Sequence, residues 1–165
     1  MTDGPVSMNA IITLAKDAEL ERLMSLALRE GRKALPHCLP NPPVGCVLVR
    51  DGAVIATGYT QPPGEFHAEA MALSQVTGPL EEVTAFVSLE PCSFHGRTPS
   101  CAEALVSRRI GRVVVAMLDS DSRNNGAGIA ILRRAGIDVT VGICEATAHA
   151  ELGKYLIRSG AVAPG

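Results

Sequence analysis

Aromatic residues are scarce in this sequence, which has no Trp, two Tyr and three Phe among its 165 residues. Hydrophobic residues nevertheless make up 47% of the chain, so the core must be built from Ala, Val, Ile and Leu. The length is sufficient for one well-buried domain and too short for two ordinary ones. We therefore expect a sheet of Val- and Ile-rich strands covered by Ala- and Leu-rich helices.

Long hydrophobic runs are also missing. The longest apolar stretch near the N-terminus, residues 8–15, is interrupted by Asn9 and Thr13 and has no basic segment before it. Such a stretch predicts neither a signal peptide nor a transmembrane span, and no membrane partner is expected. The odd number of cysteines, five, favours free or metal-bound thiols in a reducing compartment over a disulfide framework. These features together predict a cytoplasmic protein.

Positive charge is limited, because the net charge is −2 and no polybasic run occurs. This balance argues against a protein whose affinity rests on many nucleic-acid phosphates. A local excess does exist between residues 97 and 134, where seven Arg stand against Glu103, Asp119 and Asp121. We expect most of these Arg at helix ends and on solvated faces, with one or two available for a small phosphate.

The apolar periodicity divides the chain into a loosely held extension, residues 1–16, and one domain, residues 17–160. Within the domain we expect a helix from Asp17 to Leu35 and a hairpin around Asp51-Gly52. Strands then alternate with helices up to a last helix, residues 145–158. The pattern predicts a three-layer α/β/α fold whose five-stranded mixed sheet contains one antiparallel pair, the first hairpin.

Three short pieces carry residues typical of a metal site: His67-Ala68-Glu69, Glu90-Pro91-Cys92 and Cys101. One His and two Cys supply three ligands that zinc prefers and leave a fourth tetrahedral position open to water. Each falls at or just before a predicted helix start, with Cys101 behind a Thr98-Pro99 cap. We expect three helix N-termini to face one point and to favour thiolate ligands.

The chemistry that follows from this set is hydrolysis. A bound zinc ion lowers the pKa of a water towards neutrality, and Glu69 is placed to move the proton to a ring nitrogen and a leaving amine. The expected reaction replaces an amino group on an sp² carbon by oxygen and releases ammonia.

Two other classes of function stay open at this point. A purely structural zinc would need a fourth protein ligand, and only His95 could approach the three others. Deamination of a base within RNA or DNA is disfavoured by the acidic net charge and by the long separation of Cys92 and Cys101.

The combination of His67-Ala-Glu69, Pro91-Cys92 and a second Cys resembles the signature of zinc-dependent nucleotide deaminases, H-x-E followed by P-C-x-x-C. Here eight residues separate the cysteines instead of two. That longer form, together with residues 40–45 and 112–119, is similar to the deaminase domains of the riboflavin-biosynthesis bifunctional enzymes, the diaminohydroxyphosphoribosylaminopyrimidine deaminases. The similarity covers residues 17–158.

This resemblance implies a cytidine-deaminase-like fold with Zn²⁺ as cofactor, and an assembly of two or four identical chains. It implies that the zinc ligands are His67, Cys92 and Cys101. It also implies that Glu69 is the proton shuttle, that Asn41 hydrogen-bonds the substrate and that Arg97 lies near the ribose phosphate. The reductase domain of the bifunctional enzymes has no counterpart in the sequence, so we expect a stand-alone deaminase or an enzyme of a side pathway.

Three departures from the family pattern fall in the expected specificity wall. Asp121 replaces the Asn of an Asp-Pro-Asn-Pro segment, Phe94-His95 replaces His-Tyr, and Thr60 stands where the family tends to carry a His. An ionised Asp121 only accepts hydrogen bonds, so we expect it to repel a phosphate and to welcome an N–H donor. The candidate substrate-binding residues are Asn41, Thr60, Phe94, His95, Arg97, Asp119 and Asp121.

The sequence therefore predicts a zinc-dependent deaminase of an aminopyrimidine or related heterocycle, either a riboflavin-type pyrimidine nucleotide or a secondary-metabolite analogue. The expected partner is this small molecule, phosphorylated or not, and no nucleic acid. The alternatives are deamination of a free base or nucleoside, such as guanine or cytidine, and a non-catalytic zinc-binding protein of the same fold.

Overall fold

The computed structural model describes residues 7–94 and 99–156. In chain order its elements are α1 (Met8–Arg32), β1 (Gly45–Arg50), β2 (Ala53–Tyr59), α2 (Ala68–Leu73), β3 (Val83–Val87), α3 (Cys101–Ser107), β4 (Arg112–Val115), α4 (Ala127–Arg134), β5 (Asp138–Val141), α5 (Glu145–Leu152) and a short 3₁₀ helix (Gly153–Tyr155).

The five strands form one mixed sheet in the order β2-β1-β3-β4-β5. β3, β4 and β5 are parallel, whereas β1 is antiparallel to both of its neighbours, β2 and β3. The sheet confirms the predicted five strands, but the prediction of a single antiparallel pair is wrong because β1 also pairs with β3. The parallel pairing brings the carboxyl ends of β3 and β4 to the same edge, where the loops that follow them meet.

Helices cover both faces of the sheet and complete the predicted three layers. On one face α1 and α5 pack through Met24, Leu28 and Leu152 onto Val47 and Phe86 of the strands. On the other face α2, α3 and α4 pack onto alternate strand residues. Because side chains alternate between the faces of a strand, a continuous apolar run serves both layers. Phe86 apart, the large side chains of the core are aliphatic or Met, as the scarcity of aromatic residues predicts.

The first hairpin forms as predicted. Asp51 and Gly52 both have positive φ, 51° and 76°, which is the conformation of a type I′ two-residue turn. Such a turn has the twist that lets β1 and β2 run antiparallel without splaying. Asp tolerates the left-handed region better than most residues, and Gly adopts it freely.

The N-terminal helix begins earlier than predicted. α1 starts at Met8, and the Ser7 hydroxyl caps it by accepting a hydrogen bond from the Ala10 N–H at 3.1 Å. The expected start at Asp17 is wrong because residues 8–16 are exposed and contribute no apolar stripe to the core, so periodicity could not reveal them. The division of the chain at residue 17 stays a prediction.

The last helix is shorter than predicted. α5 ends at Leu152 and continues as the 3₁₀ turn to Tyr155, while residues 157 and 158 of the expected helix lie outside the described residues. In the part of the chain that the structure describes, no helix combines the length and apolarity needed to cross a membrane.

Close packing of α1 on β1 depends on Gly45. A Cβ at this position would lie 1.8 Å from the Ala27 carbonyl oxygen and 2.6 Å from the Gly31 nitrogen, both backbone atoms of α1. Because backbone cannot rotate away as a side chain can, the helix would have to shift off the sheet.

We predict that Gly45→Ala destabilises the fold by about 1–3 kcal/mol or more, as overpacking of a rigid site does. The measurement is the urea midpoint and slope, followed by far-UV circular dichroism. Gly153→Ala is the matched control, because Gly153 has helical angles and an added Cβ there meets no atom within 4 Å. A Gly45 variant as stable as the control would contradict this account of the α1 contact.

Candidate metal centre

Three metal-donor atoms from separate segments meet at one point. His67 Nδ1 lies 3.3 Å from Cys101 Sγ and 3.8 Å from Cys92 Sγ. All three donor atoms lie within 4.8 Å of one another. The sequence prediction that these residues form one cluster agrees with this geometry.

The local structure explains why these side chains face each other. His67 is the N-cap residue of α2, and Cys101 is the first residue of α3, whose N-cap Ser100 accepts from the Glu103 N–H at 3.2 Å. Cys92 lies in the loop after β3 and starts no helix, so the expectation of three converging helix N-termini is wrong. α3 begins at Cys101 and not at Pro99, and Thr98, the predicted cap, lies outside the described residues. The Cys101 N–H nevertheless donates to Cys92 Sγ at 3.2 Å.

The donor set fits a zinc ion. With Zn–S of about 2.3 Å and Zn–N of about 2.0 Å, the ligand atoms of a tetrahedral site lie about 3.5–3.8 Å apart. The two His–Cys separations, 3.3 and 3.8 Å, fall close to this range. Among the described residues only these three form such a group, and they could supply three of the four ligands of a tetrahedral zinc ion. His95, the possible fourth ligand, lies outside the described residues.

The two thiols share a proton in the absence of metal. Hydrogen bonding from the Cys101 thiol lowers the pKa of Cys92 to about 4, and the same contact together with burial raises the pKa of Cys101. The contact with Cys92 also raises the pKa of His67. The pair therefore carries one thiolate before a cation binds, and a bound zinc would deprotonate both sulfurs.

Glu69 is a buried carboxylate beside the cluster. It lies in the first turn of α2, two residues after His67, and only 4% of it is exposed. Burial raises its pKa to about 7; the charge of Cys92 adds to this rise, and His67 opposes it. Such a carboxylate exchanges a proton near neutrality, which is what a shuttle requires.

His67 and Cys92 of the cluster, together with Glu69, line a cavity of ≈ 410 Å³. This size suits a small heterocycle with a substituent. The cavity collects most of the predicted substrate-binding residues. Those that line it are Asn41, Thr60, Phe94, Asp119 and Asp121. His95 and Arg97, the other two, lie outside the described residues.

Thr60 stabilises the cavity wall through hydrogen bonds between its hydroxyl and backbone groups of the neighbouring segment. Its hydroxyl donates to the Pro42 carbonyl at 3.0 Å and accepts from the Val44 N–H at 3.0 Å. These bonds fix the segment that carries Asn41. The Asn41 side chain is half-buried at the cavity and has no hydrogen-bond partner among the described residues, so its amide is available to a ligand.

Glu90 joins the two loops that flank the cavity. Its carboxylate is 3% exposed and accepts three backbone N–H bonds, from Asp119 at 3.1 Å, Gly126 at 2.9 Å and Ile129 at 3.1 Å. Buried Asn124 adds a bond from its amide to the Pro91 carbonyl at 3.2 Å. The loop after β4 is thereby attached to the segment that carries Cys92.

The structure changes the role expected of Asp121. Both of its carboxylate oxygens accept from the Arg123 guanidinium, from Nε at 3.0 and 3.1 Å and from Nη2 at 2.5 Å. The contact with Arg123 lowers the pKa of Asp121 and keeps it ionised. The charge of Asp121 is therefore compensated within the chain, and a free carboxylate that repels phosphate is not what the cavity presents.

Sequence reasoning missed several residues of the cavity. Arg123 was indicated only through the local excess of Arg, without a reason to choose it among seven. Tyr155 and Leu156 reach the cavity because the last helix changes to a 3₁₀ turn, which no motif marks. Glu90 was visible in the Glu-Pro-Cys segment, but its partners lie 29–39 residues away along the chain.

Fold and centre together define a class of protein. An α/β/α sandwich that presents one His and two Cys beside a buried carboxylate is the arrangement of a hydrolytic zinc centre with an open ligand position. The family model of the cytidine and deoxycytidylate deaminase zinc-binding region matches residues 17–117. The chain belongs to this family, with Zn²⁺ as the metal of its zinc-binding region.

Individual relatives agree. Riboflavin biosynthesis protein RibD of Aquifex aeolicus is 45% identical over 126 residues, which are 76% of this chain and 35% of that protein. The structure of Acinetobacter baumannii RibD, form 2, superposes with a TM-score of 0.80 at 39% identity, over 86% of this chain and 40% of that one. A diaminohydroxyphosphoribosylaminopyrimidine deaminase/5-amino-6-(5-phosphoribosylamino)uracil reductase from Thermotoga maritima gives 0.80 at 33% identity, over 85% and 41%.

These similarities confirm the resemblance and the cytidine-deaminase-like fold that the sequence predicts. The chain spans about a third of the length of the curated relative.

We predict that His67→Ala and Cys92→Ala each abolish stoichiometric zinc binding, since two remaining donors cannot close the site. Metal content after dialysis, measured by plasma mass spectrometry, should be one zinc per wild-type chain. Cys144→Ala is the matched control, because Cys144 is half-buried and outside the cluster. Zinc retained by both cluster variants would rule out this metal centre.

We predict that Glu90→Gln destabilises the protein by about 1–3 kcal/mol, because the new amide N–H₂ would face a backbone N–H donor in a buried place. Hydrogen exchange should show weaker protection of the Asp119, Gly126 and Ile129 amides. Glu81→Gln is the control, since the Glu81 side chain is 62% exposed and pairs with exposed Arg109 at 3.5 Å. Equal protection in the two variants would show that Glu90 does not fix the loop.

Proposed function

We propose that the chain is a zinc-dependent hydrolase that deaminates an aminopyrimidine nucleotide, of the chemical kind named for the Thermotoga maritima relative. The reaction breaks a ring C–NH₂ bond, forms a C–O bond from water and releases ammonia. The observation that carries the proposal is the buried carboxylate of Glu69 beside the donor cluster of His67, Cys92 and Cys101, at a cavity of ≈ 410 Å³ that Glu69, His67 and Cys92 line.

Each residue has a defined task in this reaction. His67, Cys92 and Cys101 would hold the zinc, which when bound supplies a water of lowered pKa and a positive charge near the reacting carbon. Glu69 would transfer two protons in succession, the first from the attacking water to the ring nitrogen and the second from the new C–OH group to the leaving amine, which departs as ammonia. Its burial excludes bulk water and raises its pKa to about 7, so both protonation states are accessible near neutral pH.

The rest of the cavity positions the heterocycle. Val44 and Leu89 give apolar wall, and Asn41 offers one amide acceptor and donors for a ring edge. A pyrimidine with an exocyclic amine and a carbonyl presents the complementary groups. The proposal includes riboflavin-type pyrimidine nucleotides and their secondary-metabolite analogues, which share these groups.

The remaining expectations about partners and location belong to the same proposal. The enzyme acts on a free small molecule without nucleic acid, works in the cytoplasm and forms a homodimer or homotetramer. Light scattering coupled to size-exclusion chromatography reads the assembly state directly.

We predict that Glu69→Gln lowers kcat by at least about 10²-fold while one zinc per chain is retained, because the amide cannot carry the proton. Ammonia release from diaminohydroxyphosphoribosylaminopyrimidine, followed with a coupled assay, provides the rate. Glu65→Gln is the control, since Glu65 is exposed and outside the cavity.

Full activity of the zinc-loaded Glu69 variant would refute the proposed role of this carboxylate. An absence of ammonia from wild-type enzyme with this compound, and with its dephosphorylated form, would refute the substrate.

A further inference from the structure

A guanidinium is fixed from two sides at the mouth of the cavity. Arg123 donates to both oxygens of Asp121 on one side. On another side its guanidinium carbon lies 5.0 Å from the centroid of the Phe94 ring, which is within cation–π range. Arg123 therefore bridges the loop after β4 and the loop of Cys92.

This arrangement leaves part of the guanidinium free. Of its five N–H donors, Nε–H and one Nη2–H are engaged by Asp121. The two Nη1–H groups and the second Nη2–H remain, and they form the outer edge of the planar fork. Such an edge donates to two oxygens at once, which matches a phosphate.

The free edge of Arg123 differs in charge from the other ionisable side chains of the cavity. Among the described residues that line the cavity, Arg123 is the permanent cation, Glu69, Glu90 and Asp119 are acidic, and Asp121 is paired with Arg123. Glu90 is turned away into its three backbone bonds. Away from the metal position, an anionic substituent would be repelled near Glu69 and Asp119 and would find hydrogen-bond donors at the free edge of Arg123.

Depth in the cavity assigns the edge to a particular end of the substrate. Glu69, which must reach the reacting carbon, is 4% exposed, whereas the Arg123 side chain is 52% exposed. A group that contacts Arg123 therefore lies on the solvent-exposed side of the cavity, whereas the amine that leaves lies at buried Glu69.

We propose that Arg123, oriented by Asp121 and Phe94, is the specificity residue of the cavity and binds a phosphate monoester at the outer end of the substrate. This inference rests on the proposed function for the identity of the reaction, and it adds the residue that selects phosphorylated substrates. Asp121 acts through Arg123, because its carboxylate removes rotational freedom from the guanidinium before the substrate arrives.

The test compares kcat/KM for diaminohydroxyphosphoribosylaminopyrimidine with that for the same compound after a phosphatase has removed its phosphate, using zinc-loaded enzyme. Arg123→Gln should lose about 10- to 100-fold with the phosphorylated compound, mainly through KM, because a hydrogen bond to a charged group is removed. Turnover of the dephosphorylated compound should fall by a much smaller factor, so that the ratio of the two kcat/KM values changes. Arg123→Lys should recover part of the loss by keeping the charge.

The matched control is Arg22→Gln. Arg22 is also an exposed Arg that pairs with a carboxylate nearby in sequence, Glu19 at 2.7 Å, but it lies on α1 outside the cavity. This variant should discriminate between the two compounds as wild type does. Unequal zinc content or unfolding of Arg123→Gln would show in the turnover of both compounds, so a purely structural role cannot imitate a selective loss.

A binding arm separates this inference from the proposed function. Calorimetric titration of zinc-loaded protein with ribose 5-phosphate and with ribose should show a preference for the phosphate that disappears in Arg123→Gln. If neither pyrimidine is deaminated but this preference depends on Arg123, the proposed function fails and the phosphate site stands. If Arg123→Gln keeps the wild-type preference in turnover and in titration, or if Arg97→Gln alone removes it, the assignment of Arg123 is wrong.

Discussion

The meeting of three soft donor atoms within 4.8 Å is the constraint on which the rest of the structure depends. His67, Cys92 and Cys101 come from three segments separated by 25 and 9 residues along the chain. Two thiols at this distance repel each other once both are ionised, so the cluster needs a cation to be fully charged. The fold supplies the frame that holds the donors together before that cation binds.

The frame is a set of close backbone approaches and buried carboxylate bonds. Gly58 lets α2 lie against β2, since a Cβ there would meet the Ala68 carbonyl oxygen at 2.1 Å, and His67 and Glu69 are carried on that helix. Gly128 plays the same part for α4, against the Pro91 carbonyl at 2.0 Å, next to Cys92. Glu90 adds a third contact, because its carboxylate accepts hydrogen bonds from the backbone N–H groups of Asp119, Gly126 and Ile129. Metal ligands, proton shuttle and cavity wall are thus positioned by one connected structure, and disturbance of any segment reaches the others.

Local patterns in the sequence predicted the elements and the donor cluster. The Asp51-Gly52 turn and the strand-helix alternation depend on neighbouring residues, and the structure confirms them. The cluster was accessible because His-x-Glu and Pro-Cys combine residue types that carry specific chemistry. Contacts between distant segments were not accessible: no spacing rule shows that Glu90 accepts from Ile129, or that Asp121 pairs with Arg123 instead of facing the substrate. The start of α1 was missed for a different reason. Its first residues are exposed, and an exposed helical segment has no apolar stripe that periodicity could detect.

The central claim is that this chain builds an open zinc centre with three protein ligands. X-ray absorption at the zinc edge of the loaded protein tests it most directly. The account predicts two sulfurs at about 2.3 Å and two lighter atoms at about 2.0 Å, of which a single one belongs to an imidazole. A shell closed by four protein donors, with a third sulfur or a second imidazole in place of the light atom, would contradict it.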